Sequence, residues 1–134
     1  MLDTSTLVGA VLRPNSIPRQ AFIKALSKDE LCASLSTLAE LEEVMTRDKF
    51  DAYLNLLARR QFVALYRDRV RQFQVSIEQE AVLSRPCRDS RDNKFLALVL
   101  ACSASILVAS DQDLLTVNPY GDVQIITPKE YLDY

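Results

Sequence analysis

No histidine and no tryptophan occur in the chain, glycine occurs twice, and cysteine three times. Each shortage removes a class of chemistry. Without imidazole there is no Ser-His-Asp or Cys-His nucleophile, no histidine acid–base pair and no His-ligated zinc. Two isolated glycines, Gly9 and Gly121, cannot build a glycine-rich phosphate loop or a dinucleotide fingerprint. Cys32, Cys87 and Cys102 are odd in number and have no Cys-x-x-Cys spacing. They fit neither a disulfide framework nor a zinc site of four cysteines, and they suit a reducing cytoplasm. No apolar run reaches the roughly 18 residues of a membrane span. The opening Met-Leu-Asp-Thr-Ser-Thr-Leu-Val has no basic stretch ahead of a long apolar one, so neither a signal peptide nor a membrane contact is expected.

What is present is the balance of a globular protein. Of 134 residues, 49% are hydrophobic and 25% charged, with 16 basic and 18 acidic side chains. No repeat, low-complexity tract or linker interrupts the chain, so residues 1–134 are expected to form a single domain. The chemistry left to it comes from carboxylates, hydroxyls, lysine and arginine.

The pattern alternates strand and helix. Leu2 reads as the end of a strand, and Leu7, Val8 and Val11 as a short helix. Ser16 with Pro18 opens a second helix whose buried stripe is Phe22, Ala25 and Leu26. Leu31–Ser34 reads as a short strand, and Leu38, Leu41 and Met45 mark a helix. A further helical region is expected from about Phe50 to Val70, with apolar positions Leu54, Leu57, Ala58, Leu65 and Tyr66. Phe73, Val75 and Ile77 alternate with polar residues at strand period. Asp92–Cys102 is a helix apolar nearly all round. Ser105–Ala109 is a continuous apolar strand of parallel-sheet type, Val123–Ile126 a last strand, and Thr127-Pro128-Lys129-Glu130 the start of a final helix. This alternation predicts an α/β fold, a three-layer α/β/α sandwich with a mostly parallel central sheet.

Acids sit where such a fold keeps its site. Asp3 and Asp111 lie just past the carboxyl ends of strands, the place where open α/β sheets bind ligands. Asp113 follows two residues on, Asp92 starts the buried helix, and Glu40 lies in the first turn or so of the helix through Leu38. A sheet edge can gather them. Carboxylates crowded together repel, and a divalent cation relieves that repulsion. An all-oxygen donor set selects Mg2+ or Mn2+ over zinc and suits phosphodiester hydrolysis. Each acid also has an ordinary reading. Thr37-x-x-Glu40 is a possible capping box, Asp92 a helix-dipole partner, and Asp3, Asp111 and Asp113 turn residues.

Four segments taken in order carry a resemblance. They are Leu2-Asp3-Thr4-Ser5-Thr6-Leu7-Val8, Leu38-Ala39-Glu40-Leu41-Glu42-Glu43-Val44, Arg88-Asp89-Ser90-Arg91-Asp92-Asn93-Lys94-Phe95-Leu96-Ala97-Leu98, and Leu107-Val108-Ala109-Ser110-Asp111-Gln112-Asp113-Leu114-Leu115. The chain resembles PIN domains over essentially its whole length, and among them the VapC-like toxins of bacterial toxin–antitoxin systems. The resemblance implies a Mg2+- or Mn2+-dependent ribonuclease with Asp3, Glu40, Asp92 and Asp111 as catalytic, metal-holding acids. It makes Asp113 and Asp89 secondary acids. Ser5 stands where the family often has Asn, and Ser110 replaces a hydroxyl common at the Ala109 position. Only Met1 and Leu2 precede Asp3, so the first strand is expected to be short.

Charge is unevenly spread. From Arg47 to Lys94 there are eleven basic and seven acidic residues, while the remainder is net acidic. Arg59, Arg60, Arg67, Arg69 and Arg71 could form a basic rim or a solvated helix face. Arg88, Arg91 and Lys94 flank a proposed ligand and are the expected RNA contacts. Tyr53, Phe62, Tyr66 and Phe73 could stack bases, but core packing is the commoner role of such residues, and no base-reading platform is evident. By family analogy the expected partners are an RNA substrate, an antitoxin protein and a second copy in a homodimer. Two other readings compete: a PIN-like module that binds RNA or protein without cutting, and a phosphoacceptor receiver domain. The latter needs a lysine at the end of a late strand, and Lys129 lies past the last one.

Overall fold

A computed structural model describes residues 1–83 and 85–134. Most helices begin at a side chain that accepts a hydrogen bond from a free backbone N–H. Asp3 caps α1 (Thr4–Leu12), accepting from the Thr6 N–H, and Ser16 caps α2 (Ile17–Lys28), with Pro18 in its first turn. β1 (Cys32–Ser34) leads directly into α3 (Leu35–Met45). Here Ser34 is the cap, and the Thr37 hydroxyl accepts in return from the Ser34 N–H. The capping box is therefore Ser34 with Thr37, not Thr37 with Glu40. Glu40 falls in the second turn of the helix rather than near its start.

The helical region expected from Phe50 to Val70 is broken. A 3-10 turn at Asp48–Phe50 is followed by an irregular stretch, and Asn55 then caps α4 (Leu56–Arg69). The stripe that α4 buries is Arg59, Val63 and Tyr66, while Leu57 and Leu65 are exposed. Arg59 is completely buried. Its guanidinium donates to the carbonyls of Met45 (2.7 Å), Arg47 (2.9 Å) and Leu54 (2.9 Å) and pairs with Asp51. It therefore leaves the basic rim expected of residues 59–71, because α4 turns that face onto α3. On α2, Ala21 and Ala25 are buried and Leu26 is exposed, which corrects its expected inward position.

β2 (Arg71–Phe73) stops short of the full alternating stretch that the pattern predicts as strand. Ser76 and Gln79 form a reciprocal capping box, so Ile77 opens α5 (Ile77–Ala81) and faces solvent. After a 3-10 turn at Ser90–Asp92 come α6 (Asn93–Cys102), β3 (Ile106–Val108), α7 (Gln112–Leu115), β4 (Gln124–Ile126) and α8 (Pro128–Leu132). Leu100 of α6 is exposed, so one side of that helix meets water.

The fold is α/β with parallel strands. β1 pairs with β2 and β3 with β4, giving two small sheets in place of one continuous central sheet. Strands of three residues give each pair a short register, and a cavity of about 260 Å³ lined by Leu2, Cys32 and Ile106 lies between the two pairs. The strand before Asp3 is reduced to one parallel bridge, Leu2 to Val108. Even so, the bridge is well made: Val108 N donates to Met1 O (2.8 Å) and Asp3 N to Val108 O (2.9 Å).

Successive strand residues face opposite sides. Leu2, Val108 and Ile126 belong to one apolar cluster with residues of α1 to α4 and α8. Met1, Leu107 and Ile125 belong to another, with Phe95, Leu96, Leu98 and Val99 of α6. Phe22, Phe62 and Tyr66 pack against one another in the first, with ring centroids 5.6–6.2 Å apart. Burial on both faces is what makes these strands read as unbroken apolar runs. Among the described residues, no helix is long and apolar enough to cross a membrane.

Candidate metal centre

The tight Leu2–Val108 pairing brings the residue after Leu2 and the short loop after β3 to the same edge. Asp3 and Asp111 are both helix N-caps there, of α1 and α7. Asp3 is buried, with Oδ1 accepting from Thr6 N (2.9 Å) and Oδ2 from Ser110 N (3.0 Å) and Asp111 N (3.2 Å). The Thr6 and Ser110 hydroxyls, 2.8 Å apart, close the same joint. Burial raises the Asp3 pKa, and the three N–H donors oppose that rise. Asp3 thus fastens the start of α1 to the loop after β3. Asp111 Oδ1 accepts from Asp113 N (2.8 Å).

Asp92 stands at the end of the 3-10 turn, in the cap position of α6, but its side chain makes no capping bond. The residue is only 8% exposed, and Oδ2 is buried with no hydrogen-bond partner among the described residues. An unpaired buried carboxylate is costly in its charged form. Desolvation, with the charges of Asp111, Asp89, Glu40 and Asp113 nearby, pushes its pKa up to about 7. Among the described residues one carboxylate group has metal-ligand spacing: an oxygen from each of Asp89, Asp92 and Asp113 lies within 4.8 Å of the others. Burial, and after it the charges of the neighbouring aspartates, push the Cys87 thiol up to about 11.

Glu40 is half-buried and engaged at both oxygens. Lys94 Nζ donates to Oε1 (3.0 Å), and Thr4 Oγ1 donates to Oε2. Asp113 is gripped by Arg88 through two bonds (2.9 and 3.1 Å), and Asp89 by Arg91 (3.2 and 2.9 Å); Arg88 and Arg91 are themselves highly exposed. The Arg91 guanidinium holds Asp89 below the usual carboxylate range.

Asp3, Glu40, Asp92 and Asp111 line one groove of about 940 Å³, together with Ser5, Asp89, Arg91, Lys94 and Ser110. Arg88 and Asp113 are not part of its wall, although Asp113 reaches Asp92 from beside it. One feature has no clear sequence signal, and a second is ranked by the resemblance below its place in the structure. Thr4 holds Glu40 only because α1 packs against α3. Asp89 and Asp113, given a secondary place on the resemblance, share the tightest carboxylate group with Asp92. Oxygen donors alone, one of them buried and unpartnered, fit a hard divalent cation.

Residues 1–113 match the sequence profile of the PIN domain family. The fold matches the crystal structure of Mycobacterium tuberculosis VapC20, a Sarcin-Ricin loop cleaving toxin, with a TM-score of 0.60 and 15% sequence identity. The match covers 92% of this chain and 97% of that chain. At that identity the likeness is one of fold. No curated protein matches the chain.

Proposed function

The chain belongs to the PIN domain family, and from that premise we propose that it is a Mg2+- or Mn2+-dependent endoribonuclease, the toxin component of a toxin–antitoxin pair. The observation that carries the reading is Asp92, which keeps one buried oxygen without a partner among the described residues and shares metal-ligand spacing with Asp89 and Asp113, in a groove also lined by Asp3, Glu40 and Asp111. The proposed ligands are Asp3, Glu40, Asp92 and Asp111, with Asp89 and Asp113 beside them. When bound, the cation neutralises the carboxylates and withdraws charge from a phosphodiester oxygen.

The rest of the work falls to the chain. Asp3 is held rigid by three backbone N–H groups, so its carboxylate has little freedom to reorient. Lys94 and Thr4 fix the rotamer of Glu40. Arg88 and Arg91, exposed beside the acids, can exchange a carboxylate for an RNA phosphate as the strand enters. We take residues 1–134 as one PIN domain with a three-layer α/β/α build, supported by apolar clusters on both faces of the strands. The partners are an antitoxin protein and a second copy of the chain, by family analogy. RNA cleavage in Mn2+ should disappear in EDTA and fall roughly a hundredfold or more in Asp92→Asn, a change that alters one charge and little volume. Cleavage surviving both would reject the proposal.

A second reading has its own observation. Lys94 already occupies Glu40, an arrangement suited to a module that binds RNA without cutting it. That reading requires RNA binding with no cleavage at any Mn2+ concentration.

A further inference from the structure

The groove is longer than an acidic centre needs. It follows one face of α1 through Ser5, Val8, Gly9 and Leu12 to Arg13, and one face of α3 through Ser36, Ala39, Glu40, Glu43 and Val44 to Arg47. These are three- and four-residue steps, the spacing of a single helical face. Nine-residue α1 is roughly 14 Å long, so Asp3 lies at one end of it and Arg13 about that far away. Arg47, at the outer end, is paired on the surface with Glu43 (3.1 Å), a pair that an RNA phosphate can exchange into. Between the two ends the lining is mainly apolar, with Val8, Leu12, Ala39 and Val44, and carries Ser36 and Glu43 on the α3 side. The far wall is the segment after α3, which adds Lys49, Phe50 and Tyr53.

We propose that this outer end of the groove is a nucleotide-binding subsite for single-stranded RNA, in which Tyr53 stacks a base while Arg13, Arg47 and Lys49 hold the phosphates on either side of it. The choice of RNA rests on the ribonuclease reading. Tyr53 is 66% exposed although it lines a groove, so its ring is offered to solvent rather than used in the core. Lys49 Nζ lies 5.1 Å from the centre of the neighbouring Phe50 ring, keeping a cation beside the aromatic surface. The segment is also preorganised. Arg59 ties together the carbonyls of Met45, Arg47 and Leu54 and the Asp51 carboxylate from beneath, so the wall is fixed before a ligand arrives. A flat exposed ring, nearby cations and a mainly apolar trough suit an unpaired strand. A duplex offers no free base face to such a wall.

The test is anisotropy of a short fluorescein-labelled single-stranded RNA in EDTA, so that binding is read without cleavage. Tyr53→Ala should weaken binding roughly 5- to 100-fold, and Tyr53→Phe should restore it, because stacking needs the ring and not the hydroxyl. Arg47→Ala with Lys49→Ala should weaken binding and lower the slope of log affinity against log salt by about 1.4. Tyr53→Ala binding within about twofold of the parent, or Tyr53→Phe as weak as Tyr53→Ala, would overturn the subsite. So would a parent protein that binds no single-stranded RNA. The two proposals fail separately. Mn2+-dependent cleavage that Asp92→Asn abolishes, with binding indifferent to Tyr53, removes the subsite and leaves the nuclease. Tyr53-dependent binding without cleavage at any Mn2+ concentration removes the nuclease and leaves the subsite.

Discussion

Two buried charges at opposite ends of the groove are treated in opposite ways. Arg59, behind the outer wall, is fully enclosed and fully satisfied by three carbonyls and a carboxylate. Asp92, at the inner end, is nearly as enclosed but keeps one oxygen without a partner and has four carboxylates as neighbours. A buried charge whose bonds are all made holds backbone in place. A buried charge whose bonds are unmade is a place prepared for something else. The two ends therefore differ in kind: the outer one supplies rigidity, and the inner one keeps unbalanced charge.

The contrast is tested most directly at Arg59. Arg59→Met leaves three carbonyls and a carboxylate without their donor and should cost about 3–5 kcal/mol, lowering the melting temperature by roughly 10–20 °C. A thermal melt showing less than a few degrees would mean that the clamp is ornamental. Asp92→Asn should do the reverse. Its removal of charge relieves repulsion, so the variant should melt at or above the parent temperature while losing cleavage.

A second expectation uses the Asp92 pKa, raised from 3.8 to about 7. Between these values the folded protein holds a proton that the unfolded chain releases. The contribution of Asp92 to stability is therefore full below about pH 4, declines as pH rises toward 7, and is lost above it. Ion-paired carboxylates of depressed pKa, such as Asp89, act in the opposite sense. In EDTA, the stability advantage of Asp92→Asn over the parent should grow from pH 5 to pH 8, as read by denaturant unfolding. An advantage independent of pH would sink the assignment of the raised value to Asp92.

The smallest effect is at Lys94. Lys94→Met removes a cation from beside Glu40 and should tighten Mn2+ binding by about three- to tenfold in calorimetry. Weaker binding would mean that the hold of Lys94 on the Glu40 rotamer outweighs its competition with the cation.

How much of this is legible in the chain varies by residue. Asp3 and Asp111 can be placed at one edge because strand ends are visible as the close of apolar runs, and such ends converge in parallel sheets. The start of α5 carries two conflicting signals: the capping-box spacing of Ser76 and Gln79 competes with the alternation of Phe73, Val75 and Ile77, and the cap prevails. Arg59 is not legible. Beside Arg60 it looks like one more solvated charge, and Leu57 and Leu65 offer an equally plausible buried stripe. Tyr53 reads mainly as a core residue because aromatic rings usually bury; its exposure on the groove wall follows from how the segment after α3 is tied down.

Local spacing and residue type, written along the chain, carry the alternation of the main strands and helices, the acidic and imidazole-free composition, and the family. They do not say which acid keeps a bare oxygen, which arginine is swallowed, or that the groove extends from carboxylates to a basic, aromatic wall. Those outcomes depend on the faces that α1, α3 and α4 turn toward one another, and packing between distant segments selects among faces that local pattern leaves nearly equivalent.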